Sequence, residues 1–215
     1  MLAVAPLYLI ADRTACRGRP LPAVVEAACA AGVRWVQYRE KALSRRDRYE
    51  EACRLRELTR RFGAVLIIND ELDLAVAVDA DGLHLGQEDL PLPVARRHIG
   101  AGRVIGVSTH TLEEASAAAA EGADYLAVGP VFATAAKAAR APVGCEAIRR
   151  ARGLTAAPIV AIGGITPQNA ADAIRAGADS VAVMSALCGA PDIGAAVSAL
   201  RRAIEGVSRS DVKKT

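Results

Sequence analysis

Gln37-Tyr38-Arg39-Glu40-Lys41 closes a short apolar run that begins at Val33. In a strand, alternate side chains share a face. Gln37, Arg39 and Lys41 therefore fall together, with Tyr38 and Glu40 on the other face. An amide and two cations at a strand end serve no packing purpose, because a buried unpaired charge is very costly. They suit a polyanion. Asn69-Asp70 ends another apolar run, and Asp89 closes Gly86-Gln87-Glu88-Asp89. Each aspartate precedes a helix-like segment and could act as its N-cap. On adjacent strand ends, the two carboxylates can instead share one hard cation through oxygen ligands. Gly163-Gly164 and Met184-Ser185 end two later runs. In barrel folds the loops after the seventh and eighth strands often bind phosphate, and glycines there let backbone N–H groups approach it. Cations with a carboxylate pair suit a diphosphate, and the glycine-lined loops suit a monophosphate. Two phosphorylated substrates meeting over one site would account for both.

These residues need elements to hold them. Apolar runs occur at Leu7–Ala11, Trp35–Tyr38, Ala64–Ile68, Gly82–Leu85, Val104–Val107, Tyr125–Val128, Pro158–Ile162 and Ser180–Met184. Amphipathic segments lie between them, among them Leu21–Ala31, Ser44–Phe62, Leu112–Glu121, Gln168–Ala176 and Ile193–Ile204. Near-continuous apolar strands alternating with helices imply a parallel sheet buried on both faces. Eight such units predict an α/β fold, a single (β/α)8 barrel over residues 1–205, with a polar tail at 206–215. An open doubly wound sheet is the alternative, but no Gly-x-Gly-x-x-Gly turn follows the first run. Gly32, Gly122 and Gly177 stand where helices should stop, and Thr111-Leu112-Glu113-Glu114 reads as a capping box.

The polar residues collect at the C-terminal ends of the runs, where barrel enzymes keep their active sites. Besides those already named they include Asp12, Ser108-Thr109-His110, Thr134 and Lys137. Arg39 and Lys41 also fit a solvated charge run, and Lys137 an ordinary surface lysine. His84 and His98 read as structural, while His110 fits either role.

Composition narrows the partners. Of the 215 residues 52% are apolar, which is enough for a large core, and the net charge is only +3. Basic and acidic residues alternate, so no block points to nucleic acid or a membrane surface. No apolar run approaches the roughly 20 residues that span a bilayer. The first ten residues lack a basic leader and read as a first strand. Five scattered cysteines with no Cys-x-x-Cys spacing suit reduced thiols in the cytoplasm.

Across nearly its whole length the chain resembles the thiamine-phosphate synthase family. The likeness rests on Leu7-Tyr8-Leu9-Ile10, Gln37–Lys41, Asn69-Asp70, Asp81–Leu90, Ile105–His110, Gly122–Tyr125, Gly129–Phe132, Ala161–Ile165 and Gly177–Asp179. The resemblance implies an alkyl transfer that joins a hydroxymethylpyrimidine diphosphate to a thiazole phosphate, or to its carboxylated form, releasing diphosphate. It implies that Gln37, Tyr38, Arg39, Glu40, Lys41, Asn69, Ser108 and Lys137 bind the pyrimidine diphosphate. Arg39, Lys41, Ser108 and Lys137 are then the catalytic set. Thr134, Gly164, Met184 and Ser185 would hold the thiazole phosphate, and Asp70 and Asp89 would bind Mg2+. The implied partners are small phosphorylated molecules. The family pattern Pro-Thr-x-Thr-Lys after Phe132 is here Ala133-Thr134-Ala135-Ala136-Lys137, so one hydroxyl is missing at Ala136. A thiazole tautomerase on the same fold would place a histidine where this chain has Pro130. A non-catalytic barrel that binds thiamine precursors is a third reading, supported only by Ala136.

Overall fold

The computed structural model describes residues 3–134 and 141–207. Its strands are β1 (Leu7–Asp12), β2 (Trp35–Arg39), β3 (Val65–Asn69), β4 (Gly82–Leu85), β5 (Val104–Thr109), β6 (Tyr125–Val128), β7 (Ile159–Ile162) and β8 (Ser180–Val183). They form a closed barrel in chain order. Neighbours pair in parallel, and β8 returns to pair with β1. The helices are α1 (Leu21–Ala30), α2 (Arg45–Arg61), α3 (Leu72–Ala77), α4 (Leu92–Ile99), α5 (Leu112–Ala120), α6 (Gly144–Leu154), α7 (Ala170–Arg175), α8 (Ser185–Cys188) and α9 (Ile193–Glu205). The (β/α)8 expectation holds, and most boundaries fall within a residue or two of the sequence reading.

Two differences bear on the site. β2 and β5 run further than their apolar runs, carrying Arg39 and Ser108 inside the ladder. Ladder pairing then fixes their backbones, so they are held more rigidly than loop residues. β8 stops at Val183, and the short helix α8 begins at Ser185.

The strands bury two cores, as an all-parallel sheet requires. Leu9, Val36, Leu66, Ile68, Leu83 and Val181 face outward and pack against the helices. Tyr8, Ile10, Trp35, Ile67, Tyr125 and Val160 fill the interior. Tyr8, Trp35 and Tyr125 meet edge to face, at centroid distances of 5.4–6.1 Å. Gly106 makes room for this cluster, since a Cβ there would lie 1.9 Å from Tyr125 Cζ.

The expected helix signals are present with one variation. Gly32, Gly122 and Gly177 have φ of +105°, +86° and +106°, the left-handed conformation that ends a helix. Thr111 caps α5 by accepting from Glu114 N at 3.2 Å. Glu114 reaches past the cap residue to accept from His110 N at 2.6 Å. The carboxylate thus ties the helix start to the end of β5. The polar tail expected at 206–215 lies outside the described residues from 208 onward.

Candidate active site

The C-terminal ends of the strands surround a cavity of about 380 Å3. β2 supplies Gln37 and Arg39, with Lys41 just beyond it; β3 supplies Asn69, followed by Asp70. The loop after β4 contributes Asp89, β5 contributes Ser108, and Thr134 follows β6. Gly163 and Gly164 follow β7, and Met184 and Ser185 follow β8. Residues far apart in the chain, expected from sequence to serve two substrates, thus line one space.

The cations and carboxylates are already interlocked. Arg39 Nη1 lies 2.5 Å from Asp12 Oδ2, and Asp12 is buried. Lys41 Nζ pairs with Asp70 Oδ2, while Asp70 Oδ1 accepts from the Asn69 amide. Asp89 Oδ2 accepts from Gly86 N at 2.6 Å, which folds the loop back on itself. Burial pushes the Asp70 carboxyl above its ordinary value; the neighbouring Asp89 pushes the same way, and Lys41 opposes both. Neither aspartate caps a helix: Glu71 and Pro91 occupy those positions for α3 and α4. The alternative role as N-caps is therefore set aside for both.

A divalent cation fits this donor set. Two neighbouring carboxylates, one of them partly deprived of water, relieve their mutual repulsion by sharing positive charge. Among the described residues no group of three or more His, Cys, Asp or Glu is arranged to hold a metal. An ion here would take its remaining ligands from substrate oxygens and water, as Mg2+ commonly does.

The glycine pair shapes the opposite side. Gly163 and Gly164 have φ of +95° and +67°, and a Cβ on Gly164 would lie 2.5 Å from Ala133 O and 2.8 Å from Phe132 Cβ. Asn169 Nδ2 donates to Gly164 O at 2.9 Å, so the turn is held from outside. Only glycine permits this close approach of two loops.

Tyr38 and Glu40 do not line the cavity, which corrects the expectation that the whole pentapeptide faces the pyrimidine substrate. Strand alternation sends them to the helix side. Tyr38 Oη donates to Glu51 at 3.0 Å, and Glu40 binds Arg13 and the backbone N–H groups of Ala42 and Leu43. They brace the loop after β2. Lys137 and Ala136 lie outside the described residues.

Three residues in or beside the cavity were named in the sequence reading but given no site role there. His84, taken as structural, lines the cavity and bonds Ser108 Oγ at 2.9 Å. His110, which fitted either role, also lines it, with Nδ1 2.5 Å from Gly129 O. Asp12 acts through Arg39. Its position at a strand end was the available signal, but a lone aspartate reads equally well as a cap, and it does cap the turn Arg13–Cys16.

Fold and site together define a barrel enzyme that handles small phosphorylated molecules. The family model described as thiamine monophosphate synthase matches residues 7–187. A thiamine-phosphate synthase of Chloroflexus aurantiacus is 54% identical over 91% of this chain and 90% of its own. One from Moorella thermoacetica is 49% identical, over 92% and 95%. The solved thiamine phosphate pyrophosphorylase of Pyrococcus furiosus superposes with a TM-score of 0.85 at 40% identity, covering 93% of this chain and 95% of that one. The chain belongs to the thiamine monophosphate synthase family.

Proposed function

We propose that this chain is a thiamine-phosphate synthase that joins an aminopyrimidine carrying a diphosphate on its methylene carbon to a thiazole phosphate. The C–O bond to diphosphate breaks, and the thiazole nitrogen forms a bond to the same carbon. The products are thiamine phosphate and diphosphate. The observation that carries this reading is the single cavity shared by a cation-and-carboxylate side (Gln37 to Asp89) and a glycine-and-serine side (Gly163 to Ser185).

Gln37, Asn69 and Ser108 hold the pyrimidine, and Arg39 and Lys41 hold its diphosphate. Lys137 is assigned a third contact to the diphosphate. Asp70 and Asp89 would hold Mg2+. When bound, that ion supplies positive charge to the leaving oxygens. Arg39 and Lys41 add charge where negative charge develops. As the diphosphate departs, the electron-rich aminopyrimidine stabilises the carbon left behind. Thr134, Gly164, Met184 and Ser185 hold the thiazole phosphate, so its nitrogen needs only to be close and aligned. No protein nucleophile is required. The interior walls, Ile10, Ile162 and Ala182, exclude water that would otherwise capture the cation. Among the described residues no helix is long and apolar enough to cross a membrane, and all five cysteines are free, which supports a cytoplasmic setting.

The test is a coupled assay for thiamine phosphate. Product and diphosphate are expected only with both substrates and Mg2+ present. Tight binding of both substrates without turnover would overturn the catalytic reading in favour of a precursor-binding barrel.

A further inference from the structure

A chain of hydrogen bonds crosses the barrel interior beneath the cavity. Gln37 Nε2 donates to Tyr8 Oη at 3.0 Å. Tyr8 Oη lies 3.0 Å from Tyr125 Oη, which lies 3.0 Å from His84 Nδ1. His84 Nε2 lies 2.9 Å from Ser108 Oγ. The five residues come from β2, β1, β6, β4 and β5. Gln37, Tyr8, Tyr125 and His84 are between 0% and 5% exposed. Phenylalanine would fill the two tyrosine positions equally well. A buried hydroxyl is costly unless bonded, so these hydroxyls call for a reason beyond packing.

Counting protons gives the chain a direction. Tyr8 Oη accepts from Gln37, and its own proton then goes to Tyr125 Oη. Tyr125, having accepted, donates to His84 Nδ1. A histidine that accepts at Nδ1 carries its proton on Nε2, so His84 donates to Ser108 Oγ. Ser108 keeps its own proton to offer to whatever fills the cavity. At the other end, Gln37 has its amide nitrogen turned to Tyr8, which fixes which way its carbonyl oxygen points. With the Gln37 amide nitrogen donating to Tyr8, reversing either the Tyr8–Tyr125 or the Tyr125–His84 bond would leave one tyrosine proton with no acceptor in the chain. Tyr125 can hold this position because Gly106 vacates the space beneath its ring and His84 stacks on it at 5.6 Å. Burial pushes both tyrosine hydroxyls above their ordinary value, so they remain donors at neutral pH.

We infer that Tyr125, together with Tyr8, is a positioning residue: the relay holds His84 as the Nε2–H tautomer and Gln37 in one amide orientation, presenting a carbonyl acceptor and a hydroxyl donor on facing walls of the cavity. Such a pair recognises a flat heterocycle that bears both a donor and an acceptor on its edge. The inference rests on the proposed pyrimidine half of the site only in the choice of substrate for the kinetic test.

The experiment is proton–nitrogen NMR of the histidine imidazoles in the ligand-free chain, with His84 assigned against His98→Gln and His110→Gln. The wild type should show the proton on Nε2. Tyr125→Phe should shift His84 toward a mixture with Nδ1–H, whereas Tyr8→Phe should leave its tautomer unchanged. Both variants should raise the pyrimidine diphosphate KM by about tenfold, the effect of one lost hydrogen bond, with the thiazole phosphate KM unchanged. A proton on Nδ1 in the wild type, an unchanged tautomer in Tyr125→Phe, or equal changes in both KM values would overturn the inference. If Tyr125→Phe does not fold, the wild-type spectrum and Tyr8→Phe decide the matter. A wild type that forms no thiamine phosphate would defeat the proposed function, while the spectra would still decide the proton order.

Discussion

Asp70 carries a left-handed backbone, with φ of +62°, that few residues other than glycine adopt. The conformation turns its carboxylate back toward Lys41 and Asp89 instead of onto the helix that follows. Among the described residues each cation that lines the cavity has a carboxylate partner: Arg39 has Asp12 and Lys41 has Asp70. A diphosphate entering the cavity must compete with those carboxylates for the cations. A metal between Asp70 and Asp89 would free Lys41 for the substrate, which couples metal and diphosphate binding. Asp70→Asn and Asp89→Asn should each raise the Mg2+ concentration needed for half-maximal rate. They should also lower the saturated rate by about 100-fold, as expected when several kcal/mol of charge stabilisation is lost. Magnesium titration of initial rates checks this, and an unchanged Mg2+ requirement would remove the metal from these residues.

At the scale of elements, the turn after β7 lies against the segment after β6. A methyl group on Gly164 would strike Ala133 O and Phe132 Cβ, and it would also have to adopt a φ of +67°. Gly164→Ala should therefore cost about 1–3 kcal/mol of stability. It should also raise the thiazole phosphate KM while sparing the pyrimidine diphosphate KM. Gly122→Ala is the control. Its φ is +86°, but nothing lies within 4 Å of the added Cβ, so it should lose only about 1 kcal/mol and leave both KM values alone. Urea unfolding with two-substrate kinetics separates the two effects.

At the scale of the molecule, closure of the barrel depends on what its narrow interior can hold. Three aromatic rings, from β1, β2 and β6, fill the space below the cavity; Gly106 on β5 makes room for the Tyr125 ring, and Gly82 on β4 lets its strand approach β5 and Ile67. A Cβ on Gly106 would overlap the Tyr125 ring, and one on Gly82 would lie 2.3 Å from Val104 O. Gly106→Ala should cost about 1–3 kcal/mol by overpacking, and more if the ring cannot move aside. Because the ring carries the Tyr125 hydroxyl, the same change should also weaken pyrimidine diphosphate binding. Thermal unfolding together with the pyrimidine KM tests whether core and site move as one, and a loss of stability with unchanged KM would separate them.

The order of elements was legible in the chain because parallel barrel strands are buried on both faces. Such strands appear as unbroken apolar runs, and the polar residues that end them mark the open face. The two aspartates, the Gln37–Lys41 alternation and the glycine pair were readable for the same local reason. Alternation also separated Tyr38 and Glu40 from their neighbours, yet only the packed helix layer showed that Glu51 and Arg13 claim them. Asp12 and Arg39 were each visible as strand-end residues, but nothing in the sequence paired them, and nothing in it marked the relay from Gln37 to Ser108. Tyr8 and Tyr125 are 117 residues apart and meet because the sheet closes and its register brings their faces to the same height. Local composition sets which face a side chain takes. Closure and register decide what it meets there.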